Sequence, residues 1–206
     1  MKQFYRLFLS LFIIIIISYQ MGQSFGNSII ETQVGSFDLA GQPLTESNLV
    51  SRLGEGYVRL EKSGDKIISK KHIFWVPEQR VWVQIGLSHV LDEKMEHTLD
   101  TVLVTRKKLC DKDEKYMPKK TLELLATSKG IKINDSIDKV IEKYGKPSIS
   151  KTIGRDKIFT ALEEELKLRE GVVLRYLQKE LSNKLNFAEF YFKQKKLHSF
   201  LISKSE

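Results

Sequence analysis

Residues 130–147 read "GIKINDSIDKVIEKYGKP", and the fold turns on whether this stretch is a phosphate loop, a catalytic segment or a helix with marked ends. Ile137, Val140, Ile141 and Tyr144 recur at i, i+3, i+4 and i+7, which is one face of an amphipathic helix. Asn134 or Asp135 stands where a side-chain oxygen accepts a backbone N–H at a helix start. Gly145 suits the left-handed position just past a helix end, and Pro147 prevents continuation. Neither GxxxxGK[ST] nor GxGxxG spacing is present, so no phosphate cradle is encoded here. The spacing predicts a short helix whose four apolar residues pack on a sheet holding Phe190, Phe192 and Leu201.

An upstream stretch resembles this one. Leu49, Val50, Leu53 and Gly54 stand to Val140, Ile141, Tyr144 and Gly145 at one constant offset. The same offset sets "GDKI" at 64–67 against "RDKI" at 155–158, and "VWVQI" at 81–85 against "VVLRY" at 172–176, where Gln84 meets Arg175. With a small further shift, "TVLVTRKK" at 101–108 matches "SFLISKSE" at 199–206. These matches predict a tandem duplication of a unit of about 75 residues. The expected organisation is a signal peptide at 1–24, a first repeat at 36–108, a linker at 109–121 and a second repeat at 122–206.

Each predicted helix is followed by strand signals. "IFWV" and "VWVQIGL" flank "PEQR", a compact turn that predicts a hairpin. In the second copy "VVLRYLQ" precedes "FAEFYF" and "LHSFLIS", and "KQKK" separates the last two. Alternation with period two, rich in aromatics, means strands with at least one buried face. The expected fold class is α+β: two tandem units, each a short helix packed on an antiparallel sheet. Residues 156–171 divide the signals. Helix propensity favours a helix there, whereas the repeat places a strand edge or an irregular insertion, and the repeat is followed.

The helix, "YGKP" and the closing "FYFKQKKLHSFLIS" resemble the SmpA/OmlA lipoprotein unit and the β-lactamase inhibitor protein family. The resemblance spans about residues 36–108 and 122–206, and is carried by Gly130, Ile137, Val140, Tyr144, Gly145, Pro147, Phe190, Phe192 and Leu197. It implies a tandem helix-on-sheet fold and bears on fold more than on partner. Gln194, Lys195 and Lys196 replace the Asp-Gly or Asn-Gly hairpin of those families. The lipid-bearing cysteine and the inhibitor's cysteine pairs are missing. No binding residue carries over.

The N-terminus supplies an address. Lys2 and Arg6 precede an apolar run from Leu7 to about Ser18, followed by small residues at Gly22 and Ser24. This is the pattern of a secretory signal cleaved after Ser24 or Gly26. The apolar run is shorter than the ~20 residues that span a bilayer. Export to a periplasm or the extracellular space is expected, with membrane attachment only if the segment stays uncleaved. The formal charge of +8 arises from 34 Lys and Arg against 26 Asp and Glu, interleaved along the chain. That dispersion reads as a solvated surface and not as a nucleic-acid footprint. Cys110, the one cysteine, forms no disulfide within the chain.

Chemistry is sparse. There is no GxSxG elbow and no HExxH. His72 and His198 lie in strand-like runs. His89, Asp92, Glu93, Glu96 and His97 are the one polar cluster with metal-ligand types, and are read as a solvated loop. "CDKDEKY" at 110–116 lacks a calcium-loop pattern. The carboxylates of "LEEELKLRE" are read as surface residues and not as a catalytic pair. No catalytic, cofactor-binding or metal site is assigned. The expected function is a non-enzymatic, exported protein-binding module with an unidentified envelope partner. Exposed Trp75, Trp82, Tyr176 or Tyr191 would serve as anchors. The alternative is a membrane-anchored structural envelope component.

Overall fold

The computed structural model describes residues 33–39, 45–63, 66–88, 98–111, 116–179 and 185–204. The predicted signal peptide at 1–24 and the His89–His97 cluster lie outside these residues. The fold class is α+β. A two-residue hairpin, β1 (Gln33–Val34) and β2 (Phe37–Asp38), precedes α1 (Glu46–Leu53). Four strands follow: β3 (Tyr57–Ser63), β4 (Lys66–Val76), β5 (Val81–Ser88) and β6 (Thr98–Thr105). The chain then forms α2 (Ile137–Tyr144), β7 (Ile149–Thr152), α3 (Ala161–Leu166), β8 (Val172–Lys179), β9 (Leu185–Lys193) and β10 (Lys196–Ser203).

The sheet is continuous, with eight strands in the order β3-β4-β5-β6-β10-β9-β8-β7 and antiparallel neighbours throughout. The expectation of separate sheets is therefore corrected: two four-stranded meanders merge through β6 and β10. Their junction is symmetric in register. Leu103 faces Leu201, Thr101 faces Ser203, and Thr105 faces Ser199. The merger satisfies the backbone of both strands, which would otherwise be exposed edges.

The helices form where caps and apolar spacing coincide. Ser136, not Asn134 or Asp135, caps α2 by accepting from the Lys139 N–H at 3.2 Å. Asp135 instead accepts from the Lys132 N–H and the Lys139 ammonium, each at 2.9 Å. Gly145, at φ 77°, ends the helix as predicted, a conformation that glycine adopts without a Cβ clash. Thr45 and Gly54 play the same parts for α1.

One face of the sheet carries the main core. Leu49 and Leu53 of α1 and Val140 and Tyr144 of α2 join Phe74, Val83, Ile85, Val102, Val104, Phe190, Phe192 and Phe200 there. Tyr144 and Phe190 lie 4.9 Å apart, ring to ring. Each such fully buried side chain contributes about 1.5–3 kcal/mol. Two expectations change. Ile141 turns outward, 39 % exposed, because the helix is only 8 residues long and its buried stripe narrows to Val140 and Tyr144. Leu201 lies on the opposite face, since period two separates it from Phe200 and Ile202.

The opposite face holds a smaller core of Leu103, Leu201, Val173, Tyr191 and Ile153 under Leu162 and Leu166 of α3. Residues 161–166 are therefore helix, and the strand reading of 156–171 is overturned. The run "ALEEEL" consists of strong helix formers, and Thr160 caps it by accepting from the Glu163 N–H at 3.3 Å. Residues 156–160 are irregular.

The hairpin turns fall where they were read. "PEQR" joins β4 to β5, and Gln194 and Lys195 join β9 to β10 with both φ values positive, at 51° and 62°. That is the backbone of a tight two-residue hairpin, usually filled by Asn-Gly. Gln79 of the first turn also holds the chain before α2. Its amide donates to the Leu122 and Glu123 carbonyls and accepts from the Leu125 N–H. The match of "VWVQI" to "VVLRY" does not hold in space: β5 adjoins central β6, whereas β9 separates β8 from β10. Gln84 faces Leu103, and the residue facing Leu201 is Glu189, not Arg175. Short apolar strands look alike in sequence, and α3 shifts the spacing between them.

Candidate functional site

On the face that carries α3, each half of the sheet places one polar residue beside the central leucine pair. In the second half this is Glu189, fully buried. Its carboxylate accepts from the Arg175 Nε–H at 2.5 Å, from the Ala161 N–H at 3.1 Å and from the Leu162 N–H at 2.6 Å. Negative charge at the first turn of α3 satisfies N–H groups that have no partner within the helix. Lys151 pairs with Glu163, and the Lys107 ammonium donates to the Leu166 carbonyl at the other end. So α3 is fastened along its length.

Among the described residues, no helix covers the face in the first half. A groove of about 530 Å³ lies there, floored by Gln84, Gly86, Thr101 and Ser203 and walled by Glu61, Lys71, Glu164 and Glu165. Gln84 is 1 % exposed, and its Oε1 has no hydrogen-bond partner. An unsatisfied buried polar atom costs about 1–3 kcal/mol. At neighbouring Gly86 there is no room for a side chain: a Cβ there would come within 3.0 Å of Asp100 Oδ1 and 3.1 Å of Thr101 Cβ. Thr101 and Ser203 share a hydrogen bond of 3.3 Å across the central strands.

The groove wall is ion-paired. Lys71 donates to Glu61 at 2.5 Å and to Glu165 at 2.6 Å, and Arg59 stands 3.5 Å from Glu165. These contacts tie α3 to the edge of the first half. Burial works against the Lys71 ammonium, but the bonds to Glu165 and Glu61 and their negative charges outweigh it and raise its pKa above the ordinary lysine value. The lining holds four carboxylates, Glu61, Asp100, Glu164 and Glu165, and one ammonium, Lys71, with the Arg59 guanidinium against Glu165, so carboxylates outnumber cations there in a chain of net charge +8.

The aromatic anchors proposed from sequence are placed differently. Trp82, Tyr176 and Tyr191 are buried, and Trp75 is half-buried against Trp82 with ring centroids 5.4 Å apart. The Tyr176 hydroxyl donates to the Gly145 carbonyl, and burial pushes its pKa up to about 12. Phe190 and Phe192 are core. His72 is buried at the α1 face, with Nδ1 2.8 Å from the Glu55 carbonyl, and His198 is half-buried. Cys110 lies in a shallow pocket beside Tyr57 and Tyr116. Among the described residues, no group of three or more His, Cys, Asp or Glu is placed to hold a metal ion, and no helix is long and apolar enough to cross a membrane.

No family model, no curated protein and no solved structure matches the chain. The groove was missed in sequence because its residues come from six strands and a helix. One signal was present: Gln84 interrupts the apolar run "VWVQIGL" with a polar side chain on a buried strand.

Proposed function

We propose that the chain is a non-enzymatic binding module of the cell envelope or extracellular space, built from two tandem α+β units, with the α3-free half of the sheet as its binding face. The observation that carries this reading is the groove over Gln84, where a buried polar atom lacks a partner. Protein interiors rarely leave such atoms unsatisfied, so an exception that lines a groove calls for a group that fills it. The tandem reading is supported by two capped helices of equal length, each preceding four strands, and by the symmetric register about Leu103 and Leu201. In it, α3 is an addition to the second unit that fills there the space left open in the first. The exported address rests on the N-terminal sequence pattern alone.

Site-specific photocrosslinking tests the face. Benzoylphenylalanine at Ser69, on the groove, is expected to give a discrete adduct in envelope extracts, and at Glu142, on the outer side of α2, none. Adducts from Glu142 alone would move binding to the helical layer. Adducts from neither position would remove the support for a binding module. Mass spectrometry of the native protein is expected to find a start near Phe25 or Asn27, and intact Met1 in a cytoplasmic fraction would overturn export.

A further inference from the structure

The groove's chemistry is specific enough to name the kind of group it takes. Gln84 Oε1 is an acceptor without a donor, held at the bottom of the groove on a central strand. Around it the lining holds four carboxylates, Glu61, Asp100, Glu164 and Glu165, against two cations: Lys71, bonded to Glu61 and Glu165, and Arg59, 3.5 Å from Glu165. A guest that answers both features must bring several N–H donors and a positive charge. A guanidinium has five donors in one plane and bonds an amide oxygen and a carboxylate together, which a single ammonium point charge does less well.

We infer that the groove between α3 and strands β3–β6 is a guanidinium-binding site, with Gln84 Oε1 accepting from the guest and the acidic wall neutralising it. This inference rests on the reading of the α3-free half as the binding face. Two independent features carry it: the excess of carboxylates, and a side chain more than nine-tenths buried whose acceptor is unpartnered. The guest is an arginine side chain of a partner or a free guanidinium compound, which share this chemistry.

The test is calorimetric titration of the mature full chain at low salt with N-acetyl-arginine methylamide, its uncharged citrulline analogue and the peptide acetyl-Gly-Arg-Gly-amide. The arginine probe is expected to bind saturably, and the citrulline analogue at least tenfold more weakly. Raised salt weakens the first, since part of the attraction is between exposed charges. Gln84→Met removes the acceptor while keeping the shape, and is expected to weaken arginine tenfold or more without lowering the unfolding midpoint. Glu164→Gln, an exposed position, provides a second variant that leaves the core untouched and is expected to weaken binding severalfold. A tripeptide that binds tenfold tighter than the single residue points to a protein side chain, and equal affinities point to a free compound. Absence of saturable arginine binding, equal binding of citrulline, or wild-type affinity in Gln84→Met overturns the inference. A Ser69 adduct that persists in Gln84→Met would then leave the binding-module reading standing while the guanidinium site falls.

Discussion

Glu189 and Gln84 occupy matching places in the two halves of one sheet, and their fates differ. Each sits on the strand next to the centre, opposite one of the paired leucines, on the same face. Glu189 is consumed by the fold: Arg175 and two N–H groups of α3 surround its carboxylate. Gln84 is left with an empty acceptor over a groove. The same sheet position can therefore anchor structure or await a ligand, depending on whether a helix covers it.

This contrast can be broken most severely at Glu189. Glu189→Ala leaves the partly buried Arg175 without its partner and strips the α3 N–H groups of their acceptor. The expected cost is about 3–5 kcal/mol, as for breaking other buried pairs, read from the midpoint and slope of urea unfolding. A loss below about 1 kcal/mol would mean that α3 does not depend on this carboxylate.

Gln84→Met should behave oppositely. Removing an unsatisfied acceptor and filling the space with an apolar chain of similar volume is expected to be neutral or to raise stability by about 1 kcal/mol. A marked loss would show that Gln84 is structural, as Glu189 is, and the two halves would no longer differ in kind.

A smaller effect lies at the seam between the halves. His198 of β10 packs edge-on against Tyr191, with ring centroids 5.6 Å apart. Burial first, then the positive charges of Arg106, Lys193 and Lys107, lower its pKa below the ordinary histidine value. The fold therefore prefers the neutral ring. Its contribution is full above about pH 6.5 and is lost as pH falls through the lowered value. His198→Gln is expected to flatten this part of the acid limb in unfolding curves taken between about pH 7 and 4.

The smallest expected change is at Ile141. Its exposure on α2 predicts that Ile141→Ala alters stability by no more than about 0.5 kcal/mol. Val140→Ala, one residue earlier and fully buried, serves as the control and should cost clearly more. Equal costs would mean that the buried stripe of α2 is wider than Val140 and Tyr144.

The sequence by itself determined the local elements of this protein. Glycines past the helix ends, apolar residues at helical spacing, and alternating strands around "PEQR" and "KQKK" all encode their structure within a few residues. The α+β class followed from them. Even α3 was legible, because "ALEEEL" is strongly helix-forming; the reading failed by trusting the repeat over propensity. Tertiary structure alone decided the rest. Nothing local says that β6 pairs with β10, so the union of both halves into one sheet was not readable. Nor does the spacing show that Glu189, not Arg175, is the counterpart of Gln84. The groove is less legible still, since Glu61, Lys71, Gln84, Thr101, Glu165 and Ser203 are brought together only by strand register and by where α3 stops. Patterns of period two and 3.6 report which side of an element is buried. They carry no information on which distant strand lies beside it, or on which half of a sheet a six-residue helix will leave uncovered.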